Sequence, residues 1–222
     1  DLDLYIAGYV DFSRRPKYTN LRFPMDFGGL PNTIYRNNGD GTFEDLTSKL
    51  DVLSDASRKS MQVIFHDFNE DGFPDIFVAN DTDANGFYLN RGDGTFKVFS
   101  GPSGLSTTDG SMGIAIGDIN NDGLSDIVYT NYAAEVNAIA YLIDNKSSND
   151  GKLRNAVFTQ NFDSPMIHKL SWPKISWGPG LFDFDNDGDL DLFFANGHLN
   201  SVSGDNRQSN LLFKNNGSGL FQ

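Results

Sequence analysis

The chain contains no cysteine in 222 residues, so disulfides, thiolate metal ligands and thiol nucleophiles are all excluded. It has no apolar run of about 18 residues, the length a membrane-spanning helix needs. It also lacks a charged-then-apolar opening of the signal-peptide type. Cationic residues are few: 17 Lys and Arg stand against 30 Asp and Glu, for a formal net charge of −13. No basic stripe exists, which argues against nucleic-acid binding, because phosphates need one. Histidine is scarce as well, and His66, His168 and His198 lie far apart in unlike contexts. There is no Gly-x-Ser-x-Gly nucleophile elbow. Gly-Asp-Gly-Thr-Phe follows a hairpin strand and opens no helix, so it is not a phosphate loop.

What the chain does have is a repeated acidic tract. Asp67-Phe68-Asn69-Glu70-Asp71-Gly72-Phe73-Pro74-Asp75, Asp118-Ile119-Asn120-Asn121-Asp122-Gly123-Leu124-Ser125-Asp126 and Asp183-Phe184-Asp185-Asn186-Asp187-Gly188-Asp189-Leu190-Asp191 share one pattern, Asp-x-[Asp/Asn]-x-Asp-Gly-x-x-Asp. A hard cation such as Ca²⁺ takes six to eight oxygens at roughly 2.3–2.6 Å, and alternating carboxylates on a tight loop supply them. The glycine permits the sharp turn that brings the last aspartate round. The opening is like an EF-hand loop, but the closing acid is Asp at the ninth position and a strand follows it, not a helix. The three tracts hold 12 of the 30 acids, so much of the negative charge describes metal sites and need not signal a cationic partner.

A second block recurs downstream: Ile34-Tyr35-Arg36-Asn37-Asn38-Gly39-Asp40-Gly41-Thr42-Phe43, then Phe87-Tyr88-Leu89-Asn90-Arg91-Gly92-Asp93-Gly94-Thr95-Phe96, and a degraded copy over 211–221. Apolar residues followed by Asn, Gly and Asp that tolerate positive φ read as a tight β-hairpin. The unit is therefore strand, acidic loop, strand, variable connection, strand, hairpin, strand, which is the content of a propeller blade. The spacing predicts an all-β chain of four-stranded antiparallel blades at about 58–100, 109–162 and 174–222, with a partial blade at about 1–48. The insertions at 12–31 and 197–208 go to loops. Asp3 aligns with the closing acids Asp75, Asp126 and Asp191, so the chain starts inside an acidic loop. About three and a half blades is an uncomfortable ring, and the expectation is a segment of a larger propeller, with the strand at 3–8 on an edge; missing leader sequence is then uninformative.

These residues resemble the FG-GAP/VCBS propeller repeats, whose integrin α-subunit relatives carry the same nine-residue calcium loop. The likeness is closer to the ASPIC/UnbV (cartilage acidic protein-like) group. It rests on Asp3-Leu4-Tyr5-Ile6-Ala7-Gly8-Tyr9-Val10-Asp11-Phe12, on Gly29-Leu30-Pro31-Asn32-Thr33 leading into the first hairpin, and on Phe194-Ala195-Asn196-Gly197-His198. The insertion after Phe12 often holds cysteines in that group and holds none in this chain. The resemblance implies Ca²⁺ bound by the first, third, fifth and ninth side chains and the seventh carbonyl. Those are Asp67, Asn69, Asp71, Asp75 and Phe73; Asp118, Asn120, Asp122, Asp126 and Leu124; Asp183, Asp185, Asp187, Asp191 and Asp189; and Asp3 as the last ligand of an incomplete loop. On charge count the last loop binds tightest, since Asn replaces Asp at the third position of the other two.

The function implied is a calcium-stabilised extracellular or cell-surface (in a bacterium, periplasmic) scaffold or interaction module with a protein or glycan partner, or one that self-associates. A carbohydrate-binding module is the first alternative, with Trp172 and Trp177 in one groove. Part of a propeller enzyme such as a lyase or dehydratase is the second, requiring a convergent His/acid cluster. A saturated oxygen cage has no open position for substrate, so the cation is structural on this reading. Arg91-Gly92-Asp93 spells an adhesion tripeptide, but Gly-Asp-Gly belongs to the hairpin. The glycosylation triplets at Asn145 and Asn216 are short enough to arise by chance.

Overall fold

The computed structural model describes residues 2–14, 16–17, 19–48, 57–143, 155–160, 164–199 and 207–222. The triplet at Asn145 and most of the second insertion lie outside these residues. The chain forms four antiparallel meanders, each strand pairing with its sequence neighbour. The first sheet is β1 (Leu4–Ile6), β2 (Thr33–Asn37) and β3 (Phe43–Asp45), with β1 on its edge. The second is β4 (Ser60–His66), β5 (Asp75–Asn80), β6 (Gly86–Asn90) and β7 (Phe96–Val98). The third is β8 (Ile114–Gly117), β9 (Asp126–Tyr129), β10 (Ala138–Leu142) and β11 (Phe158–Gln160). The fourth is β12 (Ser176–Phe182), β13 (Asp191–Asn196) and β14 (Leu211–Phe213). Its fourth strand is reduced to a bridge between Asn215 and Phe221, with Lys214 and Gln222 exchanging backbone hydrogen bonds.

Alternation along the second strand of each blade explains why the sheets stack face to face. Successive side chains of a strand point to opposite faces. Ile76 and Val78 of β5 therefore join Tyr5 and Ile34 of the first blade, while Phe77 and Ala79 join Ile127 and Tyr129 of the third. In β9 the same rule sends Val128 the other way, into a core with Leu192, Phe194 and Phe213 of the fourth blade. Every residue of β5 and β9 is buried, because each of these blades is covered on both faces. The first strands β4, β8 and β12 lie side by side, and Ile114 N–H donates to Gln62 Oε1 at 2.8 Å across the first of these seams. At the second seam the backbones nearly touch: a Cβ built on Gly113 would lie 2.5 Å from the Trp177 carbonyl oxygen.

A repeated asparagine network pins the variable connections. Asn80 and Asn196 end the second strand of their blades, and Asn131 stands two residues beyond the end of β9. Their side-chain oxygens accept from Ser60, Ser111 and Ser176, and their N–H groups donate to Asn85, Asn137 and Asn210. In the first blade Gly8 N–H donates to Asn32 Oδ1 at 2.7 Å.

Among the described residues two α-helices depart from the strands-only expectation. They are α1 (Ser100–Ser103), stopped by Gly104 at φ 84°, and α2 (Pro165–Ser171), which starts on proline and buries Ile167 and Ser171. The first insertion is also more than a loop. A bridge between Val10 and Gly29 closes it, and Phe12, Phe23 and Phe27 pack on one another there, Phe12 and Phe23 stacking at 6.0 Å. Among the described residues no helix is long and apolar enough to cross a membrane.

Candidate metal centres

Each acidic tract links the first and second strands of a blade, and the three are built alike. The opening acid accepts two backbone amides: Asp67 those of Asp71 (3.0 Å) and Gly72 (2.7 Å), Asp118 those of Asp122 (3.1 Å) and Gly123 (2.9 Å), and Asp183 those of Asp187 (3.1 Å) and Gly188 (2.9 Å). The fifth-position acid accepts the seventh-position amide, Phe73, Leu124 or Asp189, at 2.9, 2.9 and 3.0 Å. Gly72, Gly123 and Gly188 sit at φ 92°, 84° and 93°, the left-handed geometry that requires glycine. Glu70, Asn121 and Asn186 adopt φ 55–60°, a conformation that suits asparagine better than glutamate.

The closing acids have a role that sequence reasoning missed. Asp75, Asp126 and Asp191 are fully buried. One carboxylate oxygen accepts the second-position amide, from Phe68, Ile119 or Phe184 at 3.0–3.1 Å. The other accepts an amide at the end of the third strand (Asn90, Leu142) or just past it (Asn215), at 2.8–2.9 Å. In the first blade, Asp3 is exposed and accepts the Asn37 amide at 2.9 Å. A carboxylate has about four lone-pair positions, so two amides leave capacity for a cation. Burial pushes Asp75 and Asp126 up to about 7, against the pull of these amides, and the neighbouring loop acids add to the rise.

The third position distinguishes the loops. Asn69 and Asn120 each donate Nδ2–H to the fifth-position acid, Asp71 or Asp122, at 2.9 Å. Asn69 Oδ1 is buried with no hydrogen-bond partner, a costly state for a polar atom. In the last loop the position is Asp185, and carboxylate oxygens of Asp183, Asp185 and Asp187 lie within 4.8 Å of one another. The ammonium of Lys214 pairs with Asp185 and lies 3.0 Å from Asp187. Asp187 is thereby held below the usual carboxylate range, first by the Asp189 amide and then by Lys214, whose own value is raised. An orphaned buried oxygen at the third position of a loop is what a hard-cation site made of these residues would show. The set fits Ca²⁺. The loops of the third and fourth blades also touch, since Asn121 Nδ2–H donates to Asp189 Oδ1 (2.8 Å) and to the Gly217 carbonyl (3.1 Å).

The remaining candidates are dispersed. His66 packs on Phe68 at 4.8 Å and burial lowers its pKa; His168 packs on Trp172 at 5.1 Å. Trp177 donates its indole N–H to Gly197, so the two tryptophans have separate partners. In the tripeptide, Asp93 accepts Thr95 and Gly92 has φ 73°, so it forms a hairpin turn.

A family model described as FG-GAP-like repeat matches residues 1–78 and 67–129. The chain belongs to the FG-GAP-like repeat family. Its relatives include cartilage acidic protein 1 of Homo sapiens, 34% identical over 149 residues, which cover 67% of this chain and 21% of that protein. The protein of the same name from Xenopus tropicalis is 34% identical over 123 residues (55% and 17%), and that of Mus musculus is 29% identical over 177 residues (75% and 25%). The chain thus spans a quarter or less of the length of these relatives, and the resemblance to the cartilage acidic protein-like group stands.

Proposed function

We propose that this FG-GAP repeat chain is an extracellular propeller module whose loops bind Ca²⁺ as structural ties, and that it works as a scaffold for a protein or glycan partner. The observation that carries the reading is the threefold repetition of one loop network, with Asn69 Oδ1 buried and unpaired in the first copy. The ligands would be Asp67, Asn69, Asp71 and Asp75; Asp118, Asn120, Asp122 and Asp126; and Asp183, Asp185, Asp187 and Asp191, with the carbonyls of Phe73, Leu124 and Asp189. Bound Ca²⁺ supplies positive charge and oxygen coordination with no redox chemistry. The chain holds the loop in shape through the opening acids, while the closing acids join loop, second strand and third strand. The extracellular placement rests on the cartilage acidic protein relatives and on the abundance of Ca²⁺ outside the cytosol.

Calorimetric titration of the chelator-treated protein with CaCl₂ tests the reading. Heat of binding and elemental calcium in the purified protein are expected, and their joint absence overturns it.

A further inference from the structure

We propose that Lys214 is a resident counter-cation of the C-terminal loop, built to replace part of the charge that Ca²⁺ would bring. As a result this loop keeps its shape without calcium and takes the ion more weakly than the other two. The inference rests on the calcium reading above, and concerns which loops depend on the ion.

Two paired differences set the copies apart. In the first and second full loops the third residue is an amide, and its Nδ2–H satisfies the free oxygen of Asp71 or Asp122. Asp185 cannot do this, because an ionised carboxylate only accepts hydrogen bonds. Its presence adds a fourth carboxylate and removes a donor. The donor is restored from another strand, by Lys214 Nζ 3.0 Å from the corresponding oxygen of Asp187 and paired with Asp185 as well.

Lys214 holds an equivalent position in its blade to Leu89 and Tyr141, each one residue before the amide that binds the closing acid. Leu89 is buried in the core, and the Tyr141 hydroxyl reaches across to the Gly219 carbonyl. The cognate Arg36 of the first blade pairs with Glu44 across its own hairpin. A cation aimed into an acidic loop thus occurs, among these copies, where the third residue became an acid. With every carboxylate ionised and Lys214 counted, all three ligand sets carry the same formal charge of about −3, and in the last loop the ion must also displace the ammonium from Asp185. Carboxylates alone would make the last loop the tightest; Lys214 cancels that advantage.

The experiment is a Ca²⁺ titration followed by NMR on the chain and on Lys214→Met, with Lys214→Gln as a second neutral variant. The amides of Gly72, Gly123 and Gly188 report each loop separately, since each donates to its own opening acid. The wild-type Gly188 midpoint should fall at higher calcium than the other two. Either substitution should shift it down on the order of tenfold, the effect of removing one nearby charge at a partly exposed site, with Gly72 and Gly123 unmoved. In chelator, both variants should melt below wild type, and calcium should narrow the gap. If Gly188 titrates with the others in wild type and neither variant moves it, this inference fails while the calcium reading stands. If no glycine responds to calcium in any protein, the calcium reading fails and takes this inference with it.

Discussion

At the scale of single residues, one acidic tract contains two kinds of aspartate. The closing acids are buried and each holds two backbone amides, whereas the fifth-position acids are more exposed and hold one. Asp126→Ala leaves the Ile119 and Leu142 amides without partners, and each orphaned donor costs about 1–3 kcal/mol. The expected loss is about 2–5 kcal/mol by urea denaturation, and it persists in EGTA because the amides are there with or without the ion. Asn69→Ala should behave in the opposite way. In EGTA it should cost under about 1 kcal/mol, since relief of the unpaired oxygen offsets the lost bond from Nδ2–H to Asp71, while in calcium it should raise the midpoint of the Gly72 resonance.

At the scale of elements, the seams between first strands decide how closely the blades approach. Gly113→Ala would force a Cβ against the Trp177 carbonyl and the Gly178 Cα, backbone atoms that cannot turn aside. It should cost about 1–3 kcal/mol, as overpacking does. Gly178→Ala meets nothing within 4 Å and should be near neutral, as should Arg91→Ala on its hairpin, within about 0.5 kcal/mol. Thermal melts of the three variants side by side check the ranking. The strands and hairpins were legible in the sequence because their signals are local: period-two alternation, and glycine or asparagine where φ turns positive. The helix α2 was not, since seven residues have little stability of their own and what places them is the burial of Ile167. The asparagine network at the far end of the second strands was visible only as the dipeptides Ala79-Asn80, Thr130-Asn131 and Ala195-Asn196. Their partners lie 5–20 residues away.

At the scale of the whole molecule, each blade shares its core with its neighbours, so loosening one loop weakens two interfaces. Removing calcium should therefore lower the melting temperature of the entire chain in one transition. Two loops saturated at about a hundredfold over their dissociation constants would add roughly 5 kcal/mol, or on the order of 10 °C or more for a protein of this size. Differential scanning calorimetry with and without EGTA measures it, and an unchanged curve would contradict a structural role for the ion. The membership of the loops was readable from spacing alone. The approach of Lys214 was not, because it comes from a third strand and depends on a register that the degraded hairpin at 211–221 hides.

The closing acid also bears on how such repeats can be counted. Within this one chain the third position has drifted between asparagine and aspartate, and the first blade shows Asp3 joined to the Asn37 amide. What persists through all four copies is a single carboxylate bonded to the amide that borders the third strand. A copy that lost the acid would lose its third strand's anchor, whatever residue stood at the third position of its tract. That one bond therefore marks each of these blades directly, whether the third position is asparagine or aspartate.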